Sequence, residues 1–542
     1  MPPSAAINCL LLFIAVFSFL GCGNKGAERI EGRTEKVQAE SNEPQSTPVV
    51  IPAKPASKNN SAPVAAEPRG ESAAESITKG SSEEGSIQPS TSEPPVANAV
   101  PVANAAPFVN DRLPRLRTAP ADLVLAKHGL RRIESKRLVL ITDSHDADLD
   151  KIPAIADQLF DALQAWFGKL AAAADGSEFQ VLGHIMVDRA KFRAANLLPD
   201  ESFTIRHGKH HRYAFWTGYP ETAYYRRHLA LHEFVHCFMT CETSVQDVPP
   251  LWYLEGMAEL FGTHQVGTHQ AQQINSAWQA SFGTMPAQAN GYEGWGRIRA
   301  FRKDFEAADH QQLSVQQIPS FDSVVPSLVD VFESPFQYSS SWAVCWFLKH
   351  HPDAGQVMPA LAKQRSRIDF LSEWERQRND FGQRLAVDWL LFAEQLDFGF
   401  DPERCFPVHL ATADNAAVQS SSSSTFELAS DRGWQNTGVE LRRGESIEIT
   451  CQGRCTLNET AQPWISSPSG ISIEYYRGHR IGRVVAVLVS KQGNRITDRL
   501  KVGSAATVTA DFDGQVWLQV NDASDDRANN SGAYQVQYEW SK

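Results

Sequence analysis

Residues 228–240 read His228-Leu-Ala-Leu-His232-Glu233-Phe-Val-His236-Cys-Phe-Met-Thr240. Leu229, Leu231, Phe234, Val235 and Phe238 supply apolar packing for a helix. Histidines four residues apart lie one above the other on a helix face. Both imidazoles then reach one metal ion, and Glu233 sits beside them to handle water. Nineteen positions after His236 comes Glu255, in Leu251-Trp-Tyr-Leu-Glu255-Gly-Met-Ala-Glu259. Pro249-Pro250 open this second helix, as proline does in a first turn. The intervening segment, Cys237 to Leu254, is long enough for a turn and a return, so Glu255 faces the two histidines as a third ligand. Other histidines carry simpler readings. His207, His210 and His211 read as solvated loop residues, and His228, one turn before His232, reads as a packing or surface residue.

Before this motif the chain is β-rich. Arg137 to Thr142, Phe179 to Val187 and Arg212 to Thr217 read as strands, and Asp148 to Ala173 has helical spacing. After it, Ser339 to about Leu396 is mostly helical. Strands early and helices late make residues 119–415 an α+β domain. Beyond Ser420-Ser-Ser-Ser-Ser424 the pattern changes again. Ser446 to Thr450, Arg483 to Val489, Ala506 to Ala510 and Gln515 to Val520 are short β segments separated by Gly, Asn and Asp turns. That predicts an all-β sandwich over 420–542.

The amino-terminal end is of another kind. Cys9 to Leu20 is apolar apart from Ser18 and ends in Phe19-Leu-Gly-Cys22. The run is too short to span a bilayer comfortably and reads as an export signal over 1–22. A small residue before a cysteine resembles a bacterial lipobox, which implies lipidation at Cys22 and a membrane anchor. The plainer alternative is a cleaved secretion signal. Residues 23–118 are rich in Pro, Ala, Ser, Glu and Asn, with Pro-Val-Ala-Asn-Ala at both 95 and 101. Such a stretch buries too little to offset its chain entropy and reads as a disordered linker. The net charge of −12, without a basic stripe, argues against a nucleic-acid partner. Six cysteines follow the signal, in no spacing typical of a metal knuckle. Cys451 and Cys455 suit either a hairpin disulfide or two buried thiols.

The paired motifs resemble the gluzincin metallopeptidases, especially the aminopeptidase N type and the peptidase-MA-like group, where a Glu-Gly-x-Ala context carries the third ligand. The wider sequence over about 120–400 is similar to an uncharacterised secreted planctomycete family. The resemblance implies a zincin-like fold. It makes His232, His236 and Glu255 zinc ligands, Glu233 the catalytic base, and Glu259 the residue that orients a ligand histidine through its other ring nitrogen. It also makes Tyr338, in Gln-Tyr338-Ser-Ser-Ser-Trp, the hydrogen-bond donor to the oxyanion. Serines stand where the family has Lys-Gly, and a rim tyrosine at a helix start is the alternative. The strand before the metal helix is, in that family, the edge on which peptide substrates pair. The exopeptidase motif Gly-x-Met-Glu-Asn is absent, which favours an endopeptidase.

The last region, Asn521-Asp522-Ala-Ser-Asp-Asp526-Arg-Ala-Asn529-Asn530-Ser-Gly532, resembles the calcium-dependent galactose-binding lectin of the PA-IL type. By position, Asp522, Asp526, Asn529 and Asn530 would be calcium ligands, with a carbonyl from Tyr475 or Tyr476. A turn-rich hairpin is the alternative. The lectin's sugar-contacting loop is shortened here to Tyr475 to Arg480. The sequence thus supports a zinc peptidase with peptide or protein substrates and, through the β domain, a cell-surface glycan as a further partner. The rival is a surface glycan-binding protein on a degenerate metallopeptidase scaffold. The same chemistry would also permit amide or ester hydrolysis on other substrates.

Overall fold

Leu138-Val-Leu-Ile-Thr142 is buried on both faces, as in a strand covered on both sides. A computed structural model of the chain places it inside a mixed five-stranded sheet. The structure describes residues 119–540 apart from 174–175, 200–204, 206, 243–246, 268–278, 304–317, 319, 328–334, 411–422 and 460–461. The expected export signal, with Cys22 as its expected lipidation site, and the expected 23–118 linker lie outside the described residues.

The strands are β1 (Arg131–Glu134), β2 (Leu138–Thr142), β3 (Val181–Ile185), β4 (Gly208–His211) and β5 (Ala214–Thr217), in spatial order β1-β2-β3-β5-β4. β2, β3 and β5 are parallel, and β1 and β4 run antiparallel at the two edges. Helices α1 (Asp122–Lys127) and α3 (Arg189–Ala194) cover one face through Leu125 and Phe192. Helices α2 (Ile152–Phe167) and α4 (Ala223–Thr240) cover the other. α2 ends where Gly168 takes a φ of 91°, so it is shorter than its periodicity predicted. The strand expected from Arg212 begins at Ala214, because Arg212, at φ 51°, and Tyr213 form the tight turn between β4 and β5.

Further helices follow: α5 (Leu251–Gly262), α6 (Arg297–Lys303), α7 (Phe321–Ser327), α8 (Pro335–His350), α9 (Val357–Ala362) and α10 (Arg367–Gln395). A small hairpin, β6 (His264–Gly267) with β7 (Gln279–Phe282), falls between α5 and α6. No described helix is long and apolar enough to cross a membrane.

The carboxyl-terminal portion is β-rich. One sheet holds β8 (Ser423–Ala429), β10 (Ser446–Thr456), β11 (Ile465–Ser466), β15 (Ala505–Thr509) and β17 (Ser531–Trp540). The other holds β9 (Gln435–Leu441), β12 (Ser469–Tyr476), β13 (His479–Val489), β14 (Leu500–Lys501) and β16 (Gly514–Val520). Ile447, Ile449 and Val536 of the first sheet share a core with Val484, Ala486, Leu488 and Leu518 of the second.

Strand side chains alternate between faces, and the other face of the second sheet is buried as well. Val485, Val487, Val489 and Trp517, with Trp434, join the core of the helical portion. Glu394, at the end of α10, binds Arg499 at 2.6 and 3.0 Å, Arg477 at 3.3 Å and the Trp434 indole at 3.0 Å. All six described cysteines are buried thiols outside any disulfide. Cys451 and Cys455 lie on one strand, β10, and Cys455 donates to the Tyr534 hydroxyl, so they are two buried thiols.

Candidate metal centre

α4 starts at Thr222, whose side chain accepts from the Tyr225 amide, and nearly all of its length is buried. α5 starts directly after Pro250. Gly256 lets α5 approach α8: a Cβ there would stand 2.5 Å from both the Cys345 sulfur and the Ser341 carbonyl. On the α8 side this contact falls on Ser341 and Cys345, and Ser339, Ser340 and Ser341 are all wholly buried.

The approach brings three side chains together. His232 Nε2 and His236 Nε2 are 3.0 Å apart, and each is 3.3 Å from Glu255 Oε2. Donors about 2.0–2.1 Å from a tetrahedral zinc stand about 3.3–3.4 Å from one another, so this triangle has the size of three corners of such a site. Two imidazoles and a carboxylate are also a donor set that suits zinc. The residues therefore fit a bound metal ion, with the fourth corner left for water or substrate.

Electrostatics agree with a site built for a cation. Burial disfavours the charged form of His232, but Glu255, Glu259 and Glu233 outweigh it and raise its pKa to about 9. Burial likewise pushes Glu255 up, and the two imidazoles hold it well below the usual carboxylate range. A metal ion at Nε2 would replace the proton on His232, so binding releases protons.

A second ring of residues surrounds the triangle. Glu259, 1% exposed, lies 3.5 Å from His232 Nδ1, 3.2 Å from His228 Nε2 and 2.7 Å from the Arg297 guanidinium. Burial raises the Glu259 pKa, and Arg297 with His228 more than reverses this. His228 is thus a buried neighbour of Glu259 and not a surface residue. Arg297 was not legible in the sequence. It arrives on α6, and only tertiary packing sets its guanidinium beside Glu259 and 5.5 Å from the Tyr338 ring centre. Tyr338 is half-buried on α8. Burial, then the charge of Glu255, pushes its phenol up, so it remains a donor.

His210 corrects an expectation. It is no solvated loop residue: pairing with β5 makes Gly208–His211 an edge strand, and alternate residues of that strand face α4. His210 Nδ1 lies 3.3 Å from Glu233 Oε2, and its ring stacks on His236 at 4.5 Å. Its neighbours His207 and His211 are exposed.

The four calcium candidates lie together at the start of β17. Asn530 donates to Asp522 at 2.9 Å, and the Asn529 amide donates to the Asp526 carbonyl at 3.1 Å. Burial pushes the Asp522 carboxyl up to about 6. The base of this loop is filled by the Arg527 guanidinium, which donates to the carbonyls of Val520, Asp522 and Arg432. The Tyr476 carbonyl accepts from Asn521. The loop and its neighbour also pack on the helical portion: Ser524 donates to the Gln395 carbonyl, and the Tyr476 hydroxyl to Asp397.

No family model and no curated protein matches the chain. Among solved structures, it is similar over 22% of its length to the N-terminal domain of EclA, a PllA-like lectin. There the identity is 22%, 95% of that chain is covered and the TM-score is 0.18. It is similar over 26% of its length to Aeromonas hydrophila PliG, a periplasmic inhibitor of g-type lysozyme, at 8% identity, 98% coverage and a TM-score of 0.16. The third is the IMPa metallopeptidase in complex with T-antigen, at 13% identity and a TM-score of 0.13. That match takes in 22% of this chain and 12% of the other. Scores this low carry no argument about function. The chain is a mixed α/β protein with a β-rich carboxyl-terminal portion, and its His/Glu clusters could bind a metal ion.

Proposed function

We propose that the chain is an exported, lipid-anchored, zinc-dependent endopeptidase with a zincin-like fold. The observation that carries this is the triangle of His232, His236 and Glu255, sized for one tetrahedral ion, with Glu233 on the same helix as both histidines. A zinc ion held there supplies Lewis acidity, polarising a carbonyl and making water a stronger acid.

The chain's own residues do the rest. Glu233 takes the proton of the attacking water and returns it to the leaving amine. Tyr338 donates a hydrogen bond to the oxygen on which charge develops. Glu259, held ionic by Arg297, faces His232 Nδ1 at 3.5 Å, and its charge favours the ring orientation that points Nε2 at the metal. β4, and not β5 directly before the metal helix, is the edge strand on this side of the sheet, and an extended peptide backbone would pair along it. The lipid anchor rests on the residues around Cys22.

The test is elemental analysis of the purified chain together with hydrolysis of a quenched-fluorescent peptide library. One zinc per chain, lost in His232→Ala, with cleavage lost in Glu233→Gln while zinc stays, is the expected result. Cleavage by Glu233→Gln at the unmodified rate would sink the mechanism.

A further inference from the structure

A second grouping of donors lies beside the triangle, on the side of the edge strand. A nitrogen of His210, a carboxylate oxygen of Glu233 and a nitrogen of His236 all lie within 4.8 Å of one another. His210 Nδ1 and Glu233 Oε2 are 3.3 Å apart, the spacing of each triangle histidine from Glu255. Glu233 is 5% exposed. The strand comes this close because residue 208 has no side chain: a Cβ there would stand 2.2 Å from Glu233 Oε1.

We propose that His210 and Glu233 hold a second, more weakly bound divalent cation next to the first, completed by water. The proposal rests on the reading that the triangle binds zinc, since His236 belongs to both groupings. An imidazole with a carboxylate suits zinc and its first-row neighbours.

Charge sets the order of the two affinities. Three carboxylates, Glu233, Glu255 and Glu259, face one guanidinium, Arg297, and one dication. These balance, so a second dication enters without a compensating charge and binds more weakly. The other grouping, His228, His232 and Glu259, already has its cation, because Arg297 lies 2.7 Å from Glu259. While the second ion is bound, Glu233 is a ligand and cannot accept a proton from water. Zinc beyond one equivalent then withdraws the base from the reaction.

The test reads metal binding, not turnover. The full chain is titrated with zinc by calorimetry, and the bound ions are counted by native mass spectrometry. The expected result is one tight ion and one weaker ion. The weaker ion is lost in both His210→Ala and Glu233→Gln, while the tight ion stays, which shows that the triangle is intact in each variant. His211→Ala, at the next and exposed position of the same strand, keeps both ions. If His210→Ala loses both ions, His210→Asn, which keeps a polar group of similar reach, and Glu233→Gln decide the matter. A single ion at millimolar zinc overturns the second site, and the 3.3 Å contact is then a hydrogen bond only. A weaker ion that survives His210→Ala or Glu233→Gln, or that is lost equally in His211→Ala, overturns it too. No zinc at all fells the triangle's reading first, and this proposal with it.

Discussion

Gly208 stands directly over Glu233, so close that a Cβ at residue 208 would lie 2.2 Å from the glutamate's Oε1. The backbone of an edge strand therefore limits where the proposed base can sit.

Gly208→Ala must push Glu233 or β4 aside. A displacement of about 1 Å at a reacting group costs on the order of 10²-fold in rate. Hydrolysis of the peptide library should fall by about that factor in Gly208→Ala, with one zinc still bound. An alanine chain as active as the original would mean that β4 yields freely.

Glu259 lies 3.5 Å from His232 Nδ1 and is held ionic by Arg297. Removing such an orienting partner lowers metal affinity by about 10- to 100-fold. Glu259→Gln should show that loss in a competition titration against a chromophoric chelator. Unchanged affinity would reduce the Glu259–Arg297 pair to a packing element.

Tyr338 carries a phenol whose proton is retained by burial. Tyr338→Phe should lower kcat by about 10²- to 10³-fold, as the loss of one oxyanion donor does. Zinc content and KM should change little. A variant with a normal kcat would make Tyr338 a rim residue of the core.

Glu394 joins the two portions through Arg499, Arg477 and Trp434. Burial raises its pKa, and the two arginines bring it down to about 2, against an ordinary 4.5. A depressed acid contributes stability above its ordinary value and loses it as pH falls toward the folded one. Glu394→Ala leaves two guanidinium groups without their partner and should cost about 3–5 kcal/mol at pH 7. Thermal melts of both chains should converge as pH falls from about 4.5 toward about 2. A constant gap across that range would assign the loss to packing.

The motif helix was legible because its information is local. His232, Glu233 and His236 need only the helical period, and Glu255 only a proline-led second helix. The apolar segments of β13 and β16 were legible as strands for the same reason. His210, Gly208 and Arg297 were not, since none lies within 18 residues of His232 and each reaches Glu233 or Glu259 through strand pairing or helix packing. A cluster of His and Lys before Arg212 looks solvated until β4 is paired with β5. Val484 to Val489 held an unused hint. Its unbroken apolar run is what a strand covered on both faces shows, and the second cover is the helical portion.

That second cover has an evolutionary side. Val485, Val487, Val489, Trp434 and Trp517 sit in the interior of the helical portion. Recombination that exchanged the sandwich for an unrelated one would leave a hole beside α10, where the Trp434 indole meets Glu394. The two portions differ in texture as sequences, yet they share one interior.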